Sequence, residues 1–348
     1  MSRYGYVRTG IARYKERFGL SFEDLEVGLH VRHRPGTDIS QQDNREEAVE
    51  MINNAQLHYD SHYAARTEWQ RPVGVSTMTV QRLMGMISRT WYRRRSLLGI
   101  ERISLTRPVF GGDTLYSESI VSALQSGDDP DVGIVSLLIT GSNQRGEAIS
   151  EIACRIEIYR RGMHPEDGDD APIAEEERFS LYRRGADGVL VEQTGLAFED
   201  MVEGETFDHW PGRTIDEEES RLHALRSMEI NPRWHDAAYI RRSKRQEQTV
   251  FEPLVLGVVT ALSTRTLGRV AANLGWTDIV MPRPVRIGET IYAESTIGPL
   301  RLSSSRPGQG IAQVATRGYV ESGELVCSYK RALLVYRRGA GPYESAGY

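Results

Sequence analysis

A chain of 348 residues, 39% hydrophobic and 26% charged, has the makeup of a globular protein with room for one or two cores. Its net charge of −5 argues against nucleic-acid binding, and no apolar run approaches membrane-spanning length. The start, Met1-Ser2-Arg3-Tyr4-Gly5-Tyr6, lacks a signal-peptide-like apolar stretch, and Cys154 and Cys327 cannot build a disulfide framework, so the expected compartment is the cytosol.

In chain order, the first half opens on Phe22-Glu23-Asp24, with Gly28, and a Pro35-Gly36 turn. A charged stretch over 41–66 predicts helix. Gly74 then opens a second helix carrying Val75, Met78, Leu83, Met86 and Ile87, apolar nearly all round and so expected to be buried. Strand-like runs follow, such as Val135-Ser136-Leu137-Leu138-Ile139, with a turn at Arg145-Gly146 and an end at Tyr159-Arg160-Arg161-Gly162. Residues 163–190 are rich in Asp, Glu and Gly and read as a solvated acidic linker. The order then repeats: Phe198-Glu199-Asp200, with Gly204, a Pro211-Gly212 turn, a charged stretch over 217–245, and a helix opened by Gly257. The strand run Ala312-Gln313-Val314-Ala315-Thr316 and the closing Tyr336-Arg337-Arg338-Gly339 complete it. Arg107-Pro108-Val109 with Gly112-Asp113-Thr114-Leu115-Tyr116 likewise returns as Arg283-Pro284-Val285 with Gly288-Glu289-Thr290-Ile291-Tyr292. Each half can therefore serve as the alignment for the other. Two α+β units are expected, at 15–162 and 191–340, each with a buried helix and an antiparallel sheet.

The halves differ in the charged stretch. The first reads Asn53-Asn54-Ala55-Gln56-Leu57-His58-Tyr59-Asp60; the second reads Glu229-Ile230-Asn231-Pro232-Arg233-Trp234-His235-Asp236. These runs resemble the Asp-x-Asn-Pro-x-His-x-Asp motif of the MaoC-like (R)-specific enoyl-CoA hydratases, and the Arg-Pro-Val run resembles their later strand signature. More narrowly, Asn53-Asn54-Ala55-Gln56-Leu57-His58 and Asn143-Gln144-Arg145-Gly146-Glu147 are similar to runs in the mesaconyl-CoA hydratase (β-methylmalyl-CoA dehydratase) group. The resemblance covers nearly the whole chain. It implies two tandem hot-dog domains, each an antiparallel sheet wrapped around a long central helix, paired through their sheets as an internal pseudo-dimer.

The same resemblance implies a site. His58 stands at the family's catalytic His, and Asn53 stands, as a departure, at its catalytic Asp. An imidazole can activate water and return a proton to carbon. Asn53 cannot be a base, but it can hold water or orient His58. Gly74, at the start of the buried helix, is the candidate backbone N–H donor to the thioester oxygen. Val75 is taken as a substrate contact; Asp60 reads as a substrate contact or a structural helix residue. In the second half Glu229 takes the Asp position, Trp234 replaces the His, and His235 is out of register, which reads as a degenerate site. Arg241, Arg242, Lys244 and Arg245, in a loop read as seven residues longer than its counterpart, are candidates for CoA phosphates.

The implied activity is reversible hydration of a 2-enoyl-CoA thioester, with a mesaconyl-like or other short branched acyl group. The alternatives are a dehydratase acting on carrier-protein-bound acyl chains and a non-catalytic acyl-CoA-binding protein. No cofactor beyond the substrate's CoA, no nucleic acid and no membrane is implied; a homodimer is expected. His58 and His62 lack the His-Glu-x-x-His pattern that would suggest a metal.

Overall fold

The structure, a computed structural model, describes residues 3–167, 171–243 and 248–348. A short hairpin, β1 (Tyr6–Gly10) and β2 (Arg13–Glu16), comes first. Then follow β3 (His30–Asp38), α1 (Gln41–Glu50), α2 (Ser61–Ala64), α3 (Ser76–Met86), β4 (Arg94–Leu105), β5 (Thr114–Ser126), β6 (Val132–Asn143) and β7 (Ala148–Tyr159). A second hairpin, β8 (Tyr182–Arg184) and β9 (Leu190–Glu192), precedes β10 (Thr206–Thr214), α4 (Glu217–Arg226), α5 (Ala237–Arg242), α6 (Glu252–Leu267), β11 (Val270–Val280), β12 (Thr290–Leu302), β13 (Gln309–Val320) and β14 (Leu325–Tyr336). Each half is a hot dog, an antiparallel sheet curled around one helix. Alternation drives it: in β6, Val135, Leu137 and Ile139 point into the core, where Leu83 and Ile87 of the α3 segment meet them. The helix buries one face and exposes Gln81 and Arg82 on the other, so it is less enclosed than its composition predicts.

The repeated motifs close each half on itself. Glu23 accepts from the Arg161 N–H at 2.9 Å and from the Arg160 guanidinium at 3.3 Å, while Asp24 pairs with Arg161 at 2.9 Å. Glu199 accepts from the Arg338 N–H and from Arg337, and Asp200 pairs with Arg338. The Phe22 ring lies over Gly133 and the Phe198 ring over Gly310; a Cβ at either glycine would fall 2.3 Å from the ring. The Phe-Glu-Asp run thus grips the Tyr-Arg-Arg-Gly run at the far end of the same unit, which explains why both occur twice.

The two sheets run β4-β7-β6-β5-β3-β9-β8 and β11-β14-β13-β12-β10-β2-β1. Each hairpin therefore leaves the half that follows it in sequence and joins the sheet of the other: β2 pairs in parallel with β10, and β9 with β3. Tyr4 bridges Ser180, its own counterpart 176 residues on, which marks an approximate two-fold axis. Two expectations change. The 163–190 segment is not wholly a solvated linker: Phe179, Leu181 and Tyr182 are buried, and Arg93 holds Asp167 at 2.6 Å. The halves do form a pseudo-dimer, but through exchanged hairpins; among the described residues β4 and β11, the sheet edges, do not pair with each other.

Each exchange carries a buried polar cluster. His33 on β3 holds Glu192 of β9 at 2.9 Å through Nδ1 and Ser119 at 2.7 Å through Nε2. Glu192 also accepts from Thr90, to which the Tyr182 hydroxyl bonds at 3.0 Å. The twin is His209 with Glu16 at 2.9 Å and Ser295 at 2.8 Å, Thr266 on Glu16 at 2.6 Å, and Tyr6 on Thr266 at 2.9 Å. Burial pushes the Glu192 carboxyl up, but the His33 charge, the hydrogen bonds from His33 and Thr90, and the Arg89 charge outweigh it, so it titrates below the usual carboxylate range. With the folded value lowered, the contribution is full above the unfolded-chain value of about 4.3 and is lost as pH falls through the folded one. Glu192→Gln is expected to cost on the order of 3 kcal/mol at neutral pH and to flatten the acid side of the stability curve. Urea unfolding at neutral pH and in steps below about pH 5 reads both effects.

Candidate active site

The site is built by the chain between α1 and α3. Ser40 and Asp43 cap α1 reciprocally. After α1, a single helical turn over Gln56–His58 presents His58, and Asp60 then caps α2 by accepting from the Tyr63 N–H at 2.9 Å. His58 Nδ1 donates to the Val73 carbonyl at 2.8 Å. Because a carbonyl only accepts, the hydrogen is on Nδ1, and the neutral ring keeps a lone pair on Nε2. Buried Asn44 of α1 fixes this arrangement: its amide donates to the His58 and Val73 carbonyls, both at 3.0 Å, and its oxygen accepts the Val75 N–H at 2.7 Å. His58 faces a cavity of about 340 Å³ shared with Trp69, Gly74, Ser76, Thr106 and Arg107.

The structure brings His58 and Gly74 together and redistributes the other expected roles. The Gly74 N–H is spent on the Val109 carbonyl at 2.7 Å, so it is not a free oxyanion donor. A Cβ there would lie 3.0 Å from that same carbonyl, a tight approach. Val75 gives its N–H to Asn44, and its side chain is buried with Met78, Val109 and Ile149; the last two line the cavity and Val75 does not. After Val75, the N–H groups of Ser76, Thr77 and Met78 form the open first turn of α3. Ser76, two residues on from Gly74, borders the cavity. Asn53 is outside the cavity; its oxygen accepts the Ala55 N–H at 2.9 Å and it makes no hydrogen bond to His58. Asp60 is a helix cap and not a cavity residue. Asn44, Trp69 and Ser76 had no sequence signal of their own.

The second half keeps the frame and replaces the reactive group. Trp234 ends the matching single turn, and Asp236 caps α5 as Asp60 caps α2. The Phe251 N–H goes to Ser220 at 2.9 Å, as Val75 goes to Asn44, and the Val250 N–H goes to the Val285 carbonyl at 2.8 Å, as Gly74 goes to Val109. Each pair is 176 apart, so Val250, not Gly257, is the counterpart of Gly74, and no seven-residue insertion exists. Arg241 and Arg242 close the exposed helix α5 rather than a longer loop, with Arg242 3.9 Å from Asp236; Lys244 and Arg245 lie outside the described residues. Trp234 packs edge-on to Phe251 with centroids 5.6 Å apart, and the Arg233 guanidinium lies 4.7 Å over the Trp234 ring. Glu229 accepts the Asn231 N–H at 2.7 Å.

A family model described as mesaconyl-CoA hydratase matches residues 179–347. Over that stretch the chain is similar to the mesaconyl-CoA hydratase family. The mesaconyl-CoA hydratase of Haloarcula marismortui is 28% identical over 174 residues, 49% of this chain and 48% of that protein. The mesaconyl-CoA hydratase of Cereibacter sphaeroides is 32% identical over 149 residues, 41% of this chain and 42% of that protein. The chain spans about half the length of the curated relatives it matches. A MaoC domain protein dehydratase structure from Chloroflexus aurantiacus J-10-fl aligns over 92% of this chain and 98% of its own, with 20% identity and a TM-score of 0.40. The mesaconyl-CoA hydratase model thus falls on the half that carries Trp234, while His58 lies in the other half.

Asn44 makes the frame testable. Asn44→Ala strands the buried Val75 N–H and removes one of two donors to each of the His58 and Val73 carbonyls, which keep Gln41 and the His58 ring, and is expected to cost roughly 1–3 kcal/mol. Asn53→Ala removes one partly exposed turn bond and is expected to cost under about 1 kcal/mol. Thermal unfolding of the two variants side by side gives the ranking.

Proposed function

We propose that the chain catalyses reversible hydration and dehydration of a 2-enoyl-CoA thioester at His58. The observation that carries the reading is the Nδ1–Val73 bond, which leaves the Nε2 lone pair beside a cavity at the open end of a helix. In the hydration direction, Nε2 takes a proton from water as the water oxygen bonds to the β-carbon. The thioester oxygen gains negative charge and is stabilised by the first-turn N–H groups of α3, Ser76 foremost. The imidazolium then returns its proton to the α-carbon, so H and OH have been added across the double bond. Asn53 stands where the family's catalytic Asp would be and cannot act as a base, which leaves both proton transfers to His58.

Arg107 on the cavity wall supports a dicarboxylic acyl group of the mesaconyl type, because a guanidinium can pair with the distal carboxylate. The mesaconyl-CoA hydratase similarity supports the same choice. The acyl donor is CoA rather than a carrier protein in this reading, the protein acts in the cytosol, and it works as a homodimer. A non-catalytic acyl-CoA-binding protein is the second reading, favoured by Asn53 and Trp234 at the family's Asp and His positions.

Turnover on mesaconyl-CoA and crotonyl-CoA, read as a mass change of one water, separates the readings. His58→Ala is expected to lower kcat by about 10²–10⁴ with the fold intact. Binding without turnover by the parent protein sinks the catalytic reading. Arg107→Ala is expected to raise KM for mesaconyl-CoA by about tenfold or more while leaving crotonyl-CoA little changed; equal effects on both would remove the dicarboxylate assignment.

A further inference from the structure

The exchanged hairpins end beside two cavities that occupy matching repeat positions, and the two are finished differently. In the second half, Arg269 stands between α6 and β11. Its Nε donates to the Thr194 carbonyl at 3.0 Å, its Nη2 donates to the Gln193 side-chain oxygen at 2.9 Å, and its guanidinium lies 4.6 Å over the Tyr343 ring. In the first half Arg93 takes the same repeat position, 176 residues earlier, and its Nε donates to the matching Phe18 carbonyl at 3.4 Å. Arg93 is 3% exposed, and its Nη1 goes to Asp167 at 2.6 Å. The residue that matches Gln193 is Arg17. An acceptor is thereby replaced by a second guanidinium in the same cavity. The Arg17 Nη1 is buried and has no hydrogen-bond partner among the described residues, and neither has the Ser21 hydroxyl on the same wall. A buried guanidinium nitrogen without an acceptor carries a desolvation cost. Burial and the Arg93 charge push the Arg17 pKa down to about 10, the direction of a cation short of counter-charge.

We propose that this first-half cavity, of about 400 Å³, binds a phosphoryl oxyanion held by the Arg17 and Arg93 guanidiniums and the Ser21 hydroxyl, at a site separate from the His58 cavity. Its wall also carries Lys15 and Arg161, and the carboxylates on it are already engaged. Glu16 is taken by His209 and Thr266, Glu166 by the Tyr92 hydroxyl, and Asp167 by Arg93. A tetrahedral oxyanion presents acceptors in several directions, which suits two guanidiniums and a hydroxyl better than the two coplanar oxygens of a carboxylate. The site lies at the far end of the central helix. From Ser76, which borders the His58 cavity, to Trp91, two residues before Arg93, the chain advances on the order of 20 Å. The oxyanion is therefore a second ligand, not the reacting thioester. Arg17 follows β2, which pairs with β10 of the second half, while Arg93 follows the helix of the first half. An anion between them ties the exchanged hairpin to the first hot dog, as Gln193 ties its hairpin to Arg269.

Inorganic phosphate and the phosphates of CoA share this chemistry, and the test separates them. Equilibrium dialysis of the full chain against inorganic phosphate, in a buffer otherwise free of oxyanions, is expected to show one saturable site that neither chloride at equal ionic strength nor saturating free CoA displaces. The Tm is expected to climb by about 2 °C for each tenfold rise in phosphate beyond half-saturation. Arg17→Gln copies the acceptor that the twin cavity uses. It is expected to keep at least the parent's Tm in phosphate-free buffer, to lose about tenfold or more in phosphate affinity, and to lose the Tm response. The dialysis and the CoA competition need no variant. A parent protein that binds no phosphate, binding that Arg17→Gln retains, or displacement of phosphate by CoA each overturns the proposal.

Discussion

Two buried glutamates that cross from one half of the chain to the other hold this molecule together. Glu16 reaches His209, Glu192 reaches His33, and each carboxylate also accepts a backbone N–H next to its histidine, from Trp210 or Arg34. A carboxylate placed where water cannot reach it must be fully satisfied, and only the hairpin of the opposite half supplies it in this geometry. The exchanged hairpins are thereby locked, and the two hot dogs form one body. The position of β3, and through it of the α1–α3 segment that carries His58, follows from that lock.

Within this frame the duplication separates scaffold from chemistry. The backbone bonds that shape the segment before the central helix are the same in both halves: residue 74 or 250 to the carbonyl of 109 or 285, and residue 75 or 251 to a buried polar side chain. What differs is the group that the shaped segment presents. An imidazole whose Nδ1 is held by the Val73 carbonyl stands in one half; an indole packed edge-on to Phe251 under the Arg233 guanidinium stands in the other. The first can move a proton and the second cannot.

Much of this was legible in the sequence, for physical reasons. The Phe-Glu-Asp and Tyr-Arg-Arg-Gly runs recur because each is one side of an ion-paired clamp, and His58 stands out because its twin position holds Trp234. The hairpin exchange was not legible, because β1, β2, β8 and β9 are three to five residues long and their own composition names no partner sheet. That the Gly74 N–H is taken up by the Val109 carbonyl was not legible, because whether a backbone N–H is free depends on a carbonyl far along the chain. Gly257 was mistaken for the twin of Gly74 because the true twin is Val250: a backbone bond constrains no side chain. Asn44 was hidden in a helix of charged residues, and only burial sets it and its counterpart Ser220 apart from the other polar residues of α1 and α4.

A structure with a bound saturated acyl-CoA, which binds but cannot be hydrated or dehydrated, tests the account most directly. The prediction is a thioester oxygen within hydrogen-bond reach of the Ser76 N–H and a β-carbon facing His58 Nε2. A thioester seated beside Trp234 in the second half, with the His58 cavity empty, would contradict it.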